Sequence, residues 1–221
     1  MRRVLPICVG LLGAAAIAAP AASAAPASII GGVPPDQNLF TAPSYDHEAG
    51  TIASIIWQAG GAHDADATGN GPDGEALFRS ELTRSAAPVS GTQYVPQGVY
   101  PFVCTVHNGM VSSLNVNSGT PLPRPQVKLK VRSTSLAQVL KTAAIKVKTT
   151  VTGGQGEAAR VNVKLGKRTI GIARKAFSTQ VLKIALTSKG RATLAKRSQA
   201  KVKAEATIDF GAPAGAKRKL R

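Results

Sequence analysis

The sequence predicts an all-β protein made of two successive β-sandwiches. Apolar and polar residues alternate in several short segments of both halves, which is typical of strands with one buried face. Stretches rich in glycine and proline separate these segments, as turns and connections do. With 221 residues, 43% of them hydrophobic, the chain is long and apolar enough to bury two cores.

Charge divides the chain into two unlike regions. Residues 25–120 contain eight acidic and two basic residues, which gives a net charge of −6. Residues 121–221 contain 24 basic and three acidic residues, which gives a net charge of +21. Because the two regions differ so strongly, we expect two domains with different surroundings.

The first 24 residues have the composition of a secretory signal peptide. Arg2 and Arg3 form a basic start, residues 7–19 are uncharged and apolar, and residues 22–24 are small, as signal peptidase requires. The apolar run is too short to span a bilayer, and no other stretch approaches the roughly 20 apolar residues of a span. We therefore expect a signal peptide at 1–24, no transmembrane span, and a secreted or extracytoplasmic protein.

Three residues of metal-binding type lie close together between two predicted strands. Cys104 is the one cysteine outside the predicted signal peptide, and Cys104, His107 and Met110 lie within seven residues of one another. Apolar and aromatic residues alternate in the segment 98–103, and a second apolar run, 111–116, follows the loop. The sequence thus predicts a strand, a ligand loop and a second strand.

The donor atoms of this loop favour copper. Thiolate, imidazole and thioether form a soft set that suits copper better than calcium, magnesium or manganese. One cysteine, two histidines and a weak axial methionine make up the donor set of a blue copper site. Zinc is the main competitor, but structural zinc sites use four cysteine or histidine ligands and rarely recruit a thioether. We expect one copper ion that alternates between Cu(I) and Cu(II).

The segment around Cys104 resembles the copper-binding loop of the cupredoxins, the family of plastocyanin, azurin and amicyanin. The family pattern places aromatic residues before the cysteine, as Tyr100 and Phe102 stand here. Its short form has the spacing Cys-x-x-His-x-x-Met, which Cys104, His107 and Met110 match. The resemblance implies a type 1, or blue, copper site.

This resemblance covers about residues 28–118 and implies a Greek-key β-sandwich domain at 25–118. The family has one more histidine upstream, after a strand that ends in an aromatic residue and a turn that contains glycine. Residues 52–57 and the turn after them fit that description, and His63 follows. His63 is therefore the histidine that the resemblance implies.

By resemblance, His63, Cys104 and His107 are the equatorial ligands and Met110 is the axial ligand. The family carries single electrons between redox partner proteins, so the resemblance implies the same function here. It also implies that the electron passes through His107, which reaches the surface beside the apolar Val106.

Some alternatives stay open at this level. His47 is the alternative to His63, although it precedes the predicted strand instead of following it. Met110 has a second interpretation as an ordinary core residue. Asp64 stands where the family usually has Asn or Thr, and a carboxylate there favours Cu(II) and lowers the redox potential.

Two other functions use the same sequence features differently. An extracytoplasmic copper carrier would use the same four ligands, and a structural cell-envelope β protein would have lost the redox function. An enzyme is not expected, because multicopper oxidases need a further cluster rich in histidine and the chain has three histidines.

The second half predicts another domain. Residues 119–125 form a proline-rich linker, residues 126–212 a basic antiparallel β-sandwich, and residues 213–221 a basic tail. Alternation indicates strands near residues 127–131, 145–148, 161–165 and 202–208, and the segment 188–198 suggests a short helix. This half resembles the immunoglobulin-like modules of secreted bacterial proteins.

The basic residues of this half have two interpretations. Lysine on outward strand faces keeps sheets soluble and prevents edge-to-edge pairing. Alternatively, the positive charge docks the protein on an anionic cell envelope or on an acidic redox partner. Nucleic acid is not expected as a partner, because the basic region carries only two aromatic residues for stacking, Phe177 and Phe210.

Overall fold

A computed structural model describes residues 25–33, 36–58 and 61–221. The described chain consists mostly of strands with two short helices and one 3₁₀ turn, which confirms the predicted all-β class. The predicted signal peptide, 1–24, lies outside the described residues. Among the residues that are described, no helix has both the length and the apolar character needed to cross a membrane.

The described residues of the first half form eight strands. They are β1 (Ser28–Val33), β2 (Asp36–Phe40), β3 (Tyr45–Ala49), β4 (Ala53–Trp57), β5 (Asp66–Ala67), β6 (Ala87–Val89), β7 (Gly98–Val103) and β8 (Val111–Gly119), with a short 3₁₀ helix at Thr92–Tyr94. The predicted strands on both sides of the ligand loop are confirmed as β7 and β8.

These strands form two sheets that enclose one core. One sheet has the order β2-β1-β4-β6 and the other β3-β8-β7-β5. Two of the pairs, β1 with β4 and β3 with β8, are parallel, and the others are antiparallel. Ile29 and Ile55 from the first sheet and Phe102 and Leu114 from the second are fully buried in a common cluster. The first half is therefore a β-sandwich.

The second half contains eight strands and two helices among its described residues. They are β9 (Gln126–Val131), α1 (Leu136–Thr142), β10 (Ala144–Thr152), β11 (Ala159–Leu165), β12 (Arg168–Thr169), β13 (Arg174–Ala176), β14 (Gln180–Ala185), α2 (Ser188–Ala195), β15 (Ala200–Ile208) and β16 (Gly211–Leu220). The strands suggested by alternation are confirmed as β9, β10, β11 and β15, and the suggested helix as α2.

Two antiparallel sheets enclose the second core. Their orders are β14-β10-β9 and β12-β11-β15-β16, and β13 also pairs with β11. In β10 the apolar Ile145 and Val147 are buried, whereas the lysine that follows each of them, Lys146 or Lys148, is exposed. In β10 the alternation of the sequence thus becomes one buried and one solvent-facing side of the strand.

Two boundaries differ from the sequence prediction. The predicted tail, 213–221, is not a tail, because Gly211–Leu220 is a ten-residue strand that pairs along its length with β15. In this strand, the half-buried small residues Ala214 and Ala216 alternate with exposed ones. Because β-branched residues, which are typical of strands, are absent from the segment, its composition does not indicate a strand. The predicted linker, 119–125, begins one residue too early, since Gly119 ends β8.

Side-chain contacts join the two halves. The guanidinium group of Arg79 lies 3.3 Å from the Asp73 carboxylate and 4.4 Å from the centre of the Phe210 ring. The backbone N–H of Phe210 donates a hydrogen bond to the same carboxylate at 2.9 Å. Nearby, the Tyr94 hydroxyl donates to Glu157. These contacts give Asp73 a structural role at the junction.

His47, the alternative metal ligand, is fully buried in β3. Its Nδ1 accepts a hydrogen bond from the backbone N–H of Ala27 at 3.1 Å. Burial lowers the pKa of His47 below its ordinary value of 6.5, while the backbone of Thr51 and of Thr92 and the charge of Glu48 act in the opposite direction. The neutral imidazole therefore serves as a hydrogen-bond acceptor in the core.

We predict that this histidine makes the metal-free protein less stable in acid. The pKa of His47 in the folded protein lies below its unfolded value of 6.5. The contribution of neutral His47 to the free energy of unfolding is therefore complete above pH 6.5 and is lost as the pH falls below 6.5. The free energy of unfolding should decrease by up to about 1.4 kcal/mol per pH unit from this group. Urea unfolding of wild type and of His47→Gln between about pH 5 and 8 measures this decrease. The free energy of unfolding of the variant should depend less on pH than that of wild type. Parallel stability curves would contradict the assignment.

Candidate metal centre

The loop between β7 and β8 carries three of the predicted ligands. Cys104 follows the last residue of β7, and its N–H donates to the carbonyl of Met110 at 3.0 Å. The N–H of Met110 in turn donates to the carbonyl of His107 at 3.2 Å. Two hydrogen bonds within the loop therefore hold Cys104, His107 and Met110 in one closed turn.

The fourth predicted ligand comes from the segment between β4 and β5. His63 follows β4, and its backbone exchanges two hydrogen bonds with Thr83, at 2.9 and 3.0 Å. The ring of Trp57, the last residue of β4, lies 4.6 Å from the His63 ring between centroids. Backbone pairing and the neighbouring indole thus fix both the position and the tilt of this imidazole.

The two histidines meet at the cysteine sulfur. Nδ1 of His107 lies 3.4 Å from Sγ of Cys104, and Nδ1 of His63 lies 3.8 Å from it. One donor atom from each residue falls within 4.8 Å of the other two. Ligands bound at about 2.0–2.3 Å from one ion are themselves about 3.5–4 Å apart. The observed spacing therefore fits a single metal ion held by these three residues.

Met110 is fully buried in the same loop. Its methyl group lies beside Gly31 of β1, where an added Cβ atom would come within 3.0 Å of Cε. The same glycine faces the Trp57 ring, which in turn lies against His63. Met110 is thus placed among the side chains that surround the cluster, and the absence of a side chain at residue 31 makes room for it.

Asp64 connects the two segments that supply the ligands. One carboxylate oxygen accepts a hydrogen bond from the backbone N–H of Thr105 at 2.6 Å, and the other accepts one from the Thr105 hydroxyl. Asp64 is adjacent to His63 and Thr105 is adjacent to Cys104. Thr105 could not be predicted from the sequence, because its role depends on a partner 41 residues away.

Burial shifts the pKa of two residues of the cluster, His63 and Cys104. Burial lowers the pKa of His63, and the nearby His107 lowers it further, while Asp64 raises it. Burial also raises the pKa of the Cys104 thiol, against the effect of the backbone of Asp64 and of Val106. A metal ion bound here must therefore displace the thiol proton.

The three candidate ligands differ in exposure. His63 and Cys104 are buried, whereas His107 is half-buried. Val106 and Val111, on either side of His107 in sequence, expose 51% and 61% of their surface. Of the three described ligands, His107 is therefore the one that approaches solvent, and the exposed apolar Val106 precedes it.

His47, the alternative ligand, lies elsewhere. It is not a member of the group, since its Nδ1 accepts the Ala27 N–H. Among the described residues, His63 is the histidine that joins Cys104 and His107.

No protein-family model and no curated protein matches the chain. Among solved structures, a reduced amicyanin variant is 18% identical with a TM-score of 0.33 and covers 44% of this chain and 85% of its own. A biofilm-associated protein domain is 12% identical with a TM-score of 0.25, and the match covers 79% of this chain and 28% of the other. A DUF3823 family protein from Parabacteroides merdae is 10% identical with a TM-score of 0.29, and the match covers 90% of this chain and 100% of the other. Similarities this weak establish neither a family nor a function.

Proposed function

We propose that this protein is a secreted, cupredoxin-like type 1 copper protein that carries single electrons between redox partners. The observation that supports the proposal is the convergence of two imidazole Nδ1 atoms on one cysteine sulfur, at 3.4 and 3.8 Å. In this proposal His63, Cys104 and His107 are the equatorial ligands and Met110 is the axial ligand. No catalytic residue is assigned, because the function is electron transfer and not enzymatic turnover.

The donor set favours copper over zinc. Among the described residues, the group has three cysteine or histidine donors. A structural zinc site uses four such donors. The buried Met110 beside it offers a thioether, which suits copper. When bound, copper would supply a one-electron couple, Cu(I)/Cu(II).

The protein side chains would serve this couple in two ways. His63 and Cys104 are buried and packed, so the ligand geometry changes little between oxidation states and water stays away from the sulfur. The half-buried His107 reaches the surface beside Val106 and provides the path by which an electron enters and leaves. An apolar surface of this kind allows brief contact with a partner protein.

A copper carrier is the second candidate, and the geometry favours it less. A carrier must release its ion to a partner, which is easiest from exposed or mobile ligands. Here two of the three donors are buried, and the Asp64–Thr105 hydrogen bonds fasten their segments together. Electron transfer therefore agrees better with the site.

We predict an intense visible absorption band when Cu(II) is added to the purified protein, arising from thiolate-to-copper charge transfer. Cys104→Ser should abolish the band, because an alcohol oxygen cannot replace the thiolate donor. Absorption spectroscopy measures both proteins. A colourless protein that binds Cu(I) tightly would instead indicate a carrier, and absence of copper binding would leave a structural protein.

A matched pair of histidine variants completes this test. His63→Gln should lose the band, whereas His47→Gln should keep it, because of these two histidines it is His63 that lies beside the Cys104 sulfur. The reverse result would assign the ligand role to His47.

The charge of Asp64 should lower the redox potential, since a carboxylate beside the ligands stabilises Cu(II). Asp64→Asn keeps an acceptor for the Thr105 N–H but removes the charge. We expect the midpoint potential to rise by about 60 mV, a tenfold change in the relative affinity for the two oxidation states. Voltammetry measures it, with the exposed Glu75→Gln as the control. An unchanged midpoint in Asp64→Asn would refute this role.

Val106 should control the rate of electron exchange. Val106→Glu puts a charge at the proposed contact surface, so two molecules meeting there would repel each other, and self-exchange should slow by about tenfold or more. Val99→Glu is the matched control, since Val99 is 65% exposed at the opposite end of β7 from Cys104. Line broadening in nuclear magnetic resonance measures exchange. Equal slowing of self-exchange in both variants would show that the electron path does not run through His107.

A further inference from the structure

One face of the second domain is unusually basic. Strands β9, β10 and β14 turn their apolar residues inward, and the sheet exposes six basic side chains on and just beyond these strands. They are Lys128, Lys130, Arg132, Lys146, Lys148 and Lys183. None of the residues in these three strands, all of which the structure describes, is acidic. We call this set the basic face.

Like charges stand directly opposite one another on the basic face. In the strand register, Lys148 is paired with Lys130 and Lys146 with Lys183. Such pairs destabilise a sheet. The fold therefore tolerates an electrostatic cost on this face.

The other sheet of the same domain is arranged differently. There the Glu205 carboxylate lies 2.6 Å from the ammonium group of Lys164 and 2.8 Å from that of Lys203. One acid thus neutralises part of the positive charge of β11 and β15. The basic face has no such partner within its strands, so its charge is available to an external anion.

The basic face ends in a concave site. A cavity of about 410 Å³ lies where β9 leads into α1, and it is lined by Arg132, Lys146 and Lys183. The same cavity is lined by Ser133 and Ser135. Three basic residues and two serines therefore line one cavity, and cationic groups and hydroxyl groups are both donors that bind a phosphate group.

We infer that the basic face and its cavity bind a linear polymer of phosphate groups. One phosphate occupies the cavity between Arg132, Lys146 and Lys183, and the chain continues along the rows formed by Lys130 and Lys148. The regular spacing of lysines at every second residue, about 6.6–6.8 Å, supplies a row of point charges for successive anionic groups.

The basic face suits a phosphate chain better than other polyanionic partners. Its strands contain no aromatic residue, so bases of a nucleic acid would find nothing on which to stack. Val181 is the one strongly exposed large apolar residue in these strands, which leaves little to insert into a membrane. A flat bilayer would also leave the cavity unfilled.

The test is binding of long-chain inorganic polyphosphate to the full chain, measured by calorimetry at about 50 and 200 mM salt. Wild type should bind, and its affinity should fall steeply with salt because counterions are released. Lys146→Gln/Lys183→Gln should weaken binding by about tenfold or more at the lower salt concentration. This variant should fold well, since it removes a pair of like charges.

A second double variant controls for overall charge. Lys201→Gln/Lys217→Gln removes the same charge from exposed positions of β15 and β16, and it should change the affinity by less than about threefold. Equal weakening in both double variants, or no binding by wild type at the lower salt, would overturn the inference. Binding to vesicles that contain phosphatidylglycerol but not to polyphosphate would also overturn it, in favour of a membrane surface. None of these outcomes depends on copper.

Discussion

The hydrogen bonds between Asp64 and Thr105 are the constraint on which the rest of the metal centre depends. His63 and Cys104 are separated by 41 residues, and the short pairing of β5 with β7, in which Asp66 lies opposite Val103, brings their segments side by side. The Asp64 carboxylate accepts from both the backbone and the side chain of Thr105, and it does so from a largely buried position. Hydrogen bonds to a charged group are strong, particularly away from water. The cluster is therefore held in place before any ion binds.

The same arrangement explains why one ligand differs from the others. The closed loop from Cys104 to Met110 turns the sulfur inward, and the sandwich core covers His63 and Met110. His107 lies in the middle of that loop and retains an edge toward solvent. A packed interior with one half-buried imidazole would suit the proposed electron transfer, because the ligands would have little room to reorganise.

Much of this could be predicted from the sequence, and the exceptions have physical causes. Alternation gave the strands on both sides of Cys104, and the composition of a short loop gave three ligand types. The choice between His63 and His47 could not come from alternation, because it depends on the parallel pairing of β3 with β8 that buries His47 in the core. The strand β16 was hidden because alanine and glycine carry its alternation. Long-range hydrogen bonds such as that of Asp64 leave no trace in local sequence.

The most direct test of the account is X-ray absorption spectroscopy at the copper edge on the copper-loaded full chain. The account predicts a first coordination shell with one sulfur at short distance and two nitrogens, from Cys104, His63 and His107, nearly unchanged after reduction. A shell of nitrogen and oxygen atoms without sulfur would contradict it, and so would a large rearrangement of the ligands between Cu(II) and Cu(I).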